Sequence, residues 1–360
     1  MSGLSKQRGA LVVLAAAAVA GVFVFGASGR TTKTYKIGAA LIGPKNDKSF
    51  NQAAYEGILL AVKQNPGKFK LVSTLDNRAT DQQRTQAIET MAPLVDIVVA
   101  VSNSFGPILD VEAAKFPTKY FIIVAGYTAK FHKNVTGFAN EWGAPAFVGG
   151  AIAATISKTG TVGYVGGYEI PPTTQAAAGF KHGAQLINPK IKVLSNITGD
   201  FNDVAKAKQA TAAELADGAD VIFPFLDAGI AGSYAAGKAS GKNPAMFKIT
   251  IPDCKSYSNT VGTEVQNNTL AVSLLLKRYT QGKLLAGAIF QDLQDPAVAT
   301  MLLCPKYQRN AKVAAVTKRI IAGLNSGKIK YPADTINPRP KYQYTEGLNS
   351  TKIINKGKTG

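Results

Sequence analysis

The chain has 360 residues, a formal net charge of +19, 46% hydrophobic residues, two Cys and two His. That length allows two domains, each with its own core, and the apolar fraction with 35 Gly excludes a disordered chain. Two His and two Cys are too few for a Cys/His zinc centre, while the charge excess raises nucleic acid or an anionic surface as a partner.

At the start, Lys6 and Arg8 precede an uncharged apolar run from Gly9 to Ala27 that closes on small residues, Gly26, Ala27, Ser28 and Gly29. This pattern over 1–29 reads as a secretory signal cut near Gly29. The run also has about the 20 residues that span a bilayer, so an uncleaved anchor is the alternative. No Cys follows it, which excludes a lipid-anchored mature N-terminus. Either way the body is expected outside the cytoplasm, exported to the periplasm or the cell surface. The basic residues are scattered as single Lys, without an Arg-rich helix or interleaved aromatics. With export, that argues for a generally basic surface and against nucleic acid.

From Tyr35, apolar runs alternate with amphipathic stretches. Strands are predicted at 35–42, 69–75, 96–101, 119–126 and 135–140, with helices between them. The strands are continuous apolar runs, as parallel strands covered on both faces are. The pattern then restarts with a helix near 145–158, strands at 161–167, 190–198, 220–227 and 247–253, and helices at 174–187, 203–218 and 228–240. After Asp253 the order changes. The stretch 270–284 reads as a strand running into a helix, 289–303 as one return strand, and 313–327 as a closing helix. The fold class is therefore α/β: two doubly wound parallel-sheet lobes joined by a hinge of several crossovers, with a cleft between them. The expected first lobe is 34–140 with about 274–290, the second 141–273 with about 291–332, and 333–360 is a loose tail.

No nucleophile elbow is present, and His132 in a loop and His182 on a helix have no Ser or Cys partner by spacing. Gly232 to Lys238 has the spacing of a phosphate loop, but Ala239 stands where Ser or Thr would hold Mg²⁺, and the stretch reads as helix interior. Cys254 and Cys304 are either a disulfide, as an exported chain permits, or two buried thiols. No metal, cofactor or catalytic group is expected.

The run GPKNDKSFNQAAYEG (43–57), directly after the first strand, resembles the first-strand motif of the basic membrane protein family of ABC-transporter substrate-binding proteins, the purine-nucleoside-receptor type. VGYVGG (162–167), AAGFKHGAQLINPKIKV, GDFNDVAKAKQAT (199–211), DAGIAG (227–232), IPDCKSY and VSLLLKR resemble its later segments in order, so the resemblance spans about 35–332. It implies a type I periplasmic binding protein fold whose two lobes close on a nucleoside-like small molecule. It also implies an ABC permease in the membrane as partner, and a monomer. The same fold also serves as a ligand-sensing module for a membrane receptor.

By that resemblance, Phe50 and Phe201 are the stacking aromatics of the two lobes, each ring worth roughly 1–3 kcal/mol against a base. Asp253 and Lys277 match the groups that bind ribose hydroxyls, and Gly229 a close backbone approach. Asn46 and Asp47 are a helix-capping turn or ligand contacts. Asn103 and Ser104 sit at the carboxyl end of the third strand. Asp110 is either a family acidic ligand or an exposed helical carboxylate, and Trp142 lines the cleft or packs at the hinge. One departure stands out: nucleoside-binding members end the first strand in Thr-Asp, and here Leu41 occupies the acidic position. VAVSNSF also lacks the family's Gly-Phe run.

Overall fold

The computed structural model describes residues 33–349 and 353–355; the segment expected to be a signal or anchor, 1–29, lies outside them. The first half runs β1 (Tyr35–Leu41), α1 (Phe50–Gln64), β2 (Phe69–Leu75), α2 (Asp81–Met91), β3 (Ile97–Val101), α3 (Gly106–Lys115), β4 (Tyr120–Val124) and β5 (Val135–Asn140). Next come α4 (Gly143–Ile156), β6 (Thr161–Gly166), α5 (Pro171–Ile187), β7 (Lys192–Ile197), α6 (Val204–Ala216), β8 (Val221–Phe225), α7 (Ile230–Ala239) and β9 (Ala245–Ile249). The closing part is β10 (Thr260–Gln266), α8 (Asn268–Thr280), β11 (Gly287–Gln291), β12 (Ala299–Leu303), α9 (Pro305–Gln308), α10 (Ala311–Asn325), β13 (Tyr344–Glu346) and β14 (Ile353–Asn355).

Two sheets result. The first has the order β14-β13-β11-β5-β4-β3-β1-β2 and the second β12-β10-β9-β8-β6-β7, parallel except at the β13/β14 and β10/β12 pairs. In both, the order reverses at the first strand, β1 between β2 and β3, and β6 between β7 and β8. Open α/β sheets bind ligands at that switch point, outside the carboxyl ends of the strands.

Burial follows position in the sheet. The five residues of β3 are all buried, as expected of a central strand covered on both faces, whereas edge strand β7 has only exposed and half-buried residues. Apolar layers cover the first sheet on one face through α1 and α8, with Ile58, Val272 and Leu275, and on the other through α2 and α3, with Ile88, Met91 and Leu109. In α4 every residue from Gly143 to Ala153 is buried, so the helix is apolar all round. Its approach to α5 depends on glycine: a methyl at Gly150 would strike the Phe180 carbonyl, and one at Gly183 the Phe147 carbonyl.

Three expectations need correction. Residues 268–280 are helix α8 throughout, and the strand of that region is β10, whose Thr, Glu and Gln hid it. The single return strand over 289–303 is two strands in different sheets, β11 beside β5 and β12 antiparallel to β10. The stretch 333–349 is not a loose tail: β13 pairs with β11, and Tyr342, Tyr344 and Leu348 are buried against the first sheet.

That last segment bolts the hinge. Glu141, between β5 and α4, accepts from the Asn337 N–H (2.8 Å) and from the Arg339 guanidinium (2.5 Å). Arg339 also pairs with Glu346 and lies 4.1 Å from the Phe290 ring centroid. Burial pushes the Glu141 carboxyl up, and the Arg339 charge opposes that. On the second-sheet side, Asp334 of the same segment pairs with His182 at 3.1 Å.

Candidate functional site

A cleft of about 540 Å³ lies where the carboxyl ends of the two sheets face each other. Its first wall is built from the loops after β1, β2, β3 and β4 and the start of α1. Its second wall comes from the loops after β6, β7, β8 and β9.

Aromatic rings stand on both walls. Phe50, the first residue of α1, is half-buried with its ring 6.4 Å from that of Trp142. Trp142 packs edge-on against Phe225 at 5.2 Å. Across from them, Phe201 lies edge-on to Tyr168 at 5.6 Å. Its place depends on the glycine after β6, since a Cβ at Gly167 would overlap the Phe201 ring.

Polar groups surround the rings. Asn51, Asn77, Ser102, Asn103 and Ser104 line the first wall, and Asp200, Asn202 and Asp227 the second. Arg84 is buried in the first wall, held by the carbonyls of Arg78 and Ala79 and by Asp81, and its Nε has no partner. The Thr250 hydroxyl opposite is likewise buried and unpaired. A buried donor or acceptor left open at a cleft wall favours a ligand that completes it. Asn77, Ser102, Ala125 and Thr250 all have positive φ (58°, 139°, 61° and 67°) and all line the cleft. Only two other non-glycine residues among those described share this conformation, so the strain is gathered at the site.

Asp227 follows β8 and faces Ser49, Phe50 and Asp47 at the start of α1 from the opposite wall, and the buried Ser49 hydroxyl is left without a hydrogen-bond partner. Burial, followed by the charge of Asp47, holds its carboxyl well above the usual range; the polar groups of Ser49 and Phe50 and the charge of Lys248 oppose the shift. Lys248, on β9, is itself buried, and burial lowers its ammonium while Asp253, Asp227 and Asp47 oppose this.

The structure brings Phe50, Asn103, Ser104, Trp142 and Phe201 together on the cleft. The other sequence candidates lie elsewhere. Asp47 caps α1, with its carboxylate taking the N–H groups of Ser49, Asn51 and Gln52 and the Asn51 amide, and Asn46 beside it is exposed and does not line the cleft. Asp110 accepts from the Ala129 and Lys130 N–H groups and lies 3.4 Å from His132. Gly229 acts one step back, donating its N–H to the Phe201 carbonyl (3.0 Å) and leaving no room there for a side chain. Asp253 is tied to Lys255 and Ser256 within the loop closed by the Cys254–Cys304 disulfide. Lys277 is exposed on α8, whose inner face packs on α1, and so lies away from the cleft. Leu41 is fully buried in the first core.

Sequence reasoning missed Asp227, Tyr168, Arg84, Asn51 and Asp200. Asp227 had a signal: it stands directly past the apolar run of β8, where a doubly wound strand presents its carboxyl end. Arg84 had none, because it sits in an ordinary polar helical turn.

Among the described residues no helix is long and apolar enough to cross a membrane. The family model for PnrA-like ABC transporter substrate-binding proteins (Bmp) matches residues 34–331. The chain is 30% identical over 244 residues to the ABC transporter nucleoside-binding protein BmpA of Lactococcus lactis subsp. cremoris, covering 66% of this chain and 69% of that one. It is 27% identical over 224 residues to basic membrane protein A2 of Borrelia garinii subsp. bavariensis, covering 62% of this chain and 65% of that one. Among solved structures, an ABC transporter solute-binding protein from Aeropyrum pernix K1 superposes with a TM-score of 0.73 at 18% identity, over 83% of this chain and 94% of that one. That likeness carries the fold, a type I periplasmic binding protein architecture. The two sheets, the cleft at their switch points and the family match together place the chain in the Bmp family of PnrA-like ABC transporter substrate-binding proteins.

Proposed function

We propose that the protein is an extracytoplasmic carrier that captures a purine nucleoside or a related base-containing solute in the cleft and presents it, as a monomer, to an ABC permease. It binds and releases its ligand unchanged. The observation that carries the reading is the pair of aromatic rings on opposite walls of one cleft, Phe50 and Phe201, with carboxylates and amides around them. A flat base fits between rings, and sugar hydroxyls suit a carboxylate acceptor such as Asp200. The cleft volume matches a small ligand of this size class. The L. lactis relative, named for nucleoside binding, supports the same choice.

Each lobe supplies half of the contacts, so the ligand favours the closed arrangement by what only that arrangement offers. Since Asp227 is shielded by the opposite wall and faces the charge of Asp47, parting the lobes hydrates its carboxyl and lowers its affinity for a proton. Closure without ligand is therefore coupled to proton uptake and is favoured at lower pH.

The test is native mass spectrometry of the protein as purified, followed by calorimetric titration with nucleosides, free sugars and amino acids. Saturable heat with nucleosides alone supports the reading. Heat with sugars or amino acids and none with nucleosides overturns it.

A further inference from the structure

A second hollow, of about 520 Å³, opens on the second lobe alone. It lies at the amino ends of β6, β8 and β9, opposite the strand ends that face the cleft. Its floor is apolar, with Ile156, Leu215, Val221 and Val313. Lys158, Lys242, Lys306 and Lys312 line it, from the α4–β6 turn, the α7–β9 turn, α9 and α10.

The acid in this lining, Asp220, is already occupied. Its carboxylate accepts from the Ser157 hydroxyl (2.7 Å) and from the N–H groups of Lys158 (2.6 Å) and Thr159 (3.2 Å). Among the described residues none of the four lysines has a carboxylate within ion-pair distance. Lys306 donates instead to the Asn259 amide oxygen at 2.6 Å. Lys312 stands in the first turn of α10, which holds no acid and where a cation opposes the helix dipole. Four like charges around one concavity repel each other, and Asp220 is the single acid of the lining set against them. An anion in the hollow would relieve all of these conflicts at once, and the apolar floor gives room for more than a bare ion.

We propose that this hollow binds a phosphate-bearing anion, either a free solute carrying more than one phosphate or the headgroup of an anionic lipid. Every lining residue belongs to the second lobe, so binding there needs no closure of the cleft. The proposal stands apart from the nucleoside reading.

The test uses the full chain with two probes: inorganic pyrophosphate by calorimetry, and vesicles of phosphatidylglycerol against phosphatidylcholine by co-flotation. Three proteins are compared. They are the wild type, the triple variant Lys242→Gln, Lys306→Gln, Lys312→Gln, and a control triple of exposed first-lobe lysines, Lys36→Gln, Lys63→Gln, Lys70→Gln, which removes the same charge. The expected result is binding of at least one probe by wild type, weakened about tenfold or more (about 1.4 kcal/mol) in the hollow variant and under about twofold in the control. Binding of pyrophosphate alone assigns a free solute, and binding of phosphatidylglycerol vesicles alone assigns a headgroup. No binding of either probe, or equal loss in both triples, overturns the proposal.

Discussion

The two lobes share a strand order and meet at one cleft, yet they are built from different materials. The first lobe sandwiches its sheet between two apolar layers and gives the cleft a wall of amides and hydroxyls, with Phe50 as its aromatic ring and Arg84 as its charge. The second lobe presents Tyr168, Phe201 and Phe225 with Asp200 and Asp227, and it keeps Glu214 and Glu264 fully buried in its interior. Neither oxygen of Glu264 has a hydrogen-bond partner, and only one oxygen of Glu214 does, from the Asn196 amide at 3.1 Å. The lesson is a division of labour. The first lobe is the apolar frame, while the second carries most of the ring surface and the groups whose charge depends on pH.

The largest expected effect concerns the segment that joins them. Arg339→Ala leaves Glu141 buried without its cation, and we expect a loss of about 2–4 kcal/mol of stability by denaturant titration. An unchanged midpoint would remove the segment past Pro332 from the account of the hinge.

Next is the pH asymmetry. Burial pushes the Glu214 carboxyl up to about 8, against about 4.3 in an unfolded chain. The folded state therefore prefers the protonated form, and this contribution is present at low pH and is lost as pH rises through about 8. Denaturation at pH 5 and pH 9 should show wild type losing roughly 2–4 kcal/mol, and Glu214→Gln should flatten much of that slope. Equal slopes in the two proteins would break the contrast between the lobes.

The walls themselves come third. Phe50 is the ring of the first wall, whereas Phe201 has Tyr168 and Phe225 beside it. Phe50→Ala should weaken nucleoside binding about 100-fold and Phe201→Ala about tenfold, within the usual range for base stacking. The reverse order would mean that the second wall carries the stack. The smallest effects belong to residues that the structure places away from the cleft. Asn46→Ala and Lys277→Gln should each leave nucleoside affinity within about twofold of wild type.

Most of the architecture could be read from the chain because parallel strands buried on both faces are continuous apolar runs. Thus β2 and β5 fall on their predicted bounds and β3 within one residue. The reading failed where strands carry polar side chains inward. Glu264 and Gln266 on β10 are buried, and no periodicity rule treats them as core. It failed again at the last strands, because Lys, Asn and Pro suggested a tail while Tyr342 and Tyr344 supplied the burial. At the site, Phe50 and Phe201 were legible through the family resemblance of the motifs that carry them, GPKNDKSFNQ and GDFND. Asp227 and Arg84 were not, because their importance comes from what the opposite wall and the fold bring next to them.

The central claim, that both walls grip one base-containing ligand, is tested most directly by the fluorescence of Trp142, the sole tryptophan, which packs at the cleft between Phe50 and Phe225. Titration with guanosine and with ribose should give a saturable change for guanosine and none for ribose, and Phe50→Ala should remove most of the guanosine response. An equal response to ribose, or a guanosine response that survives in Phe50→Ala at unchanged affinity, would contradict the account.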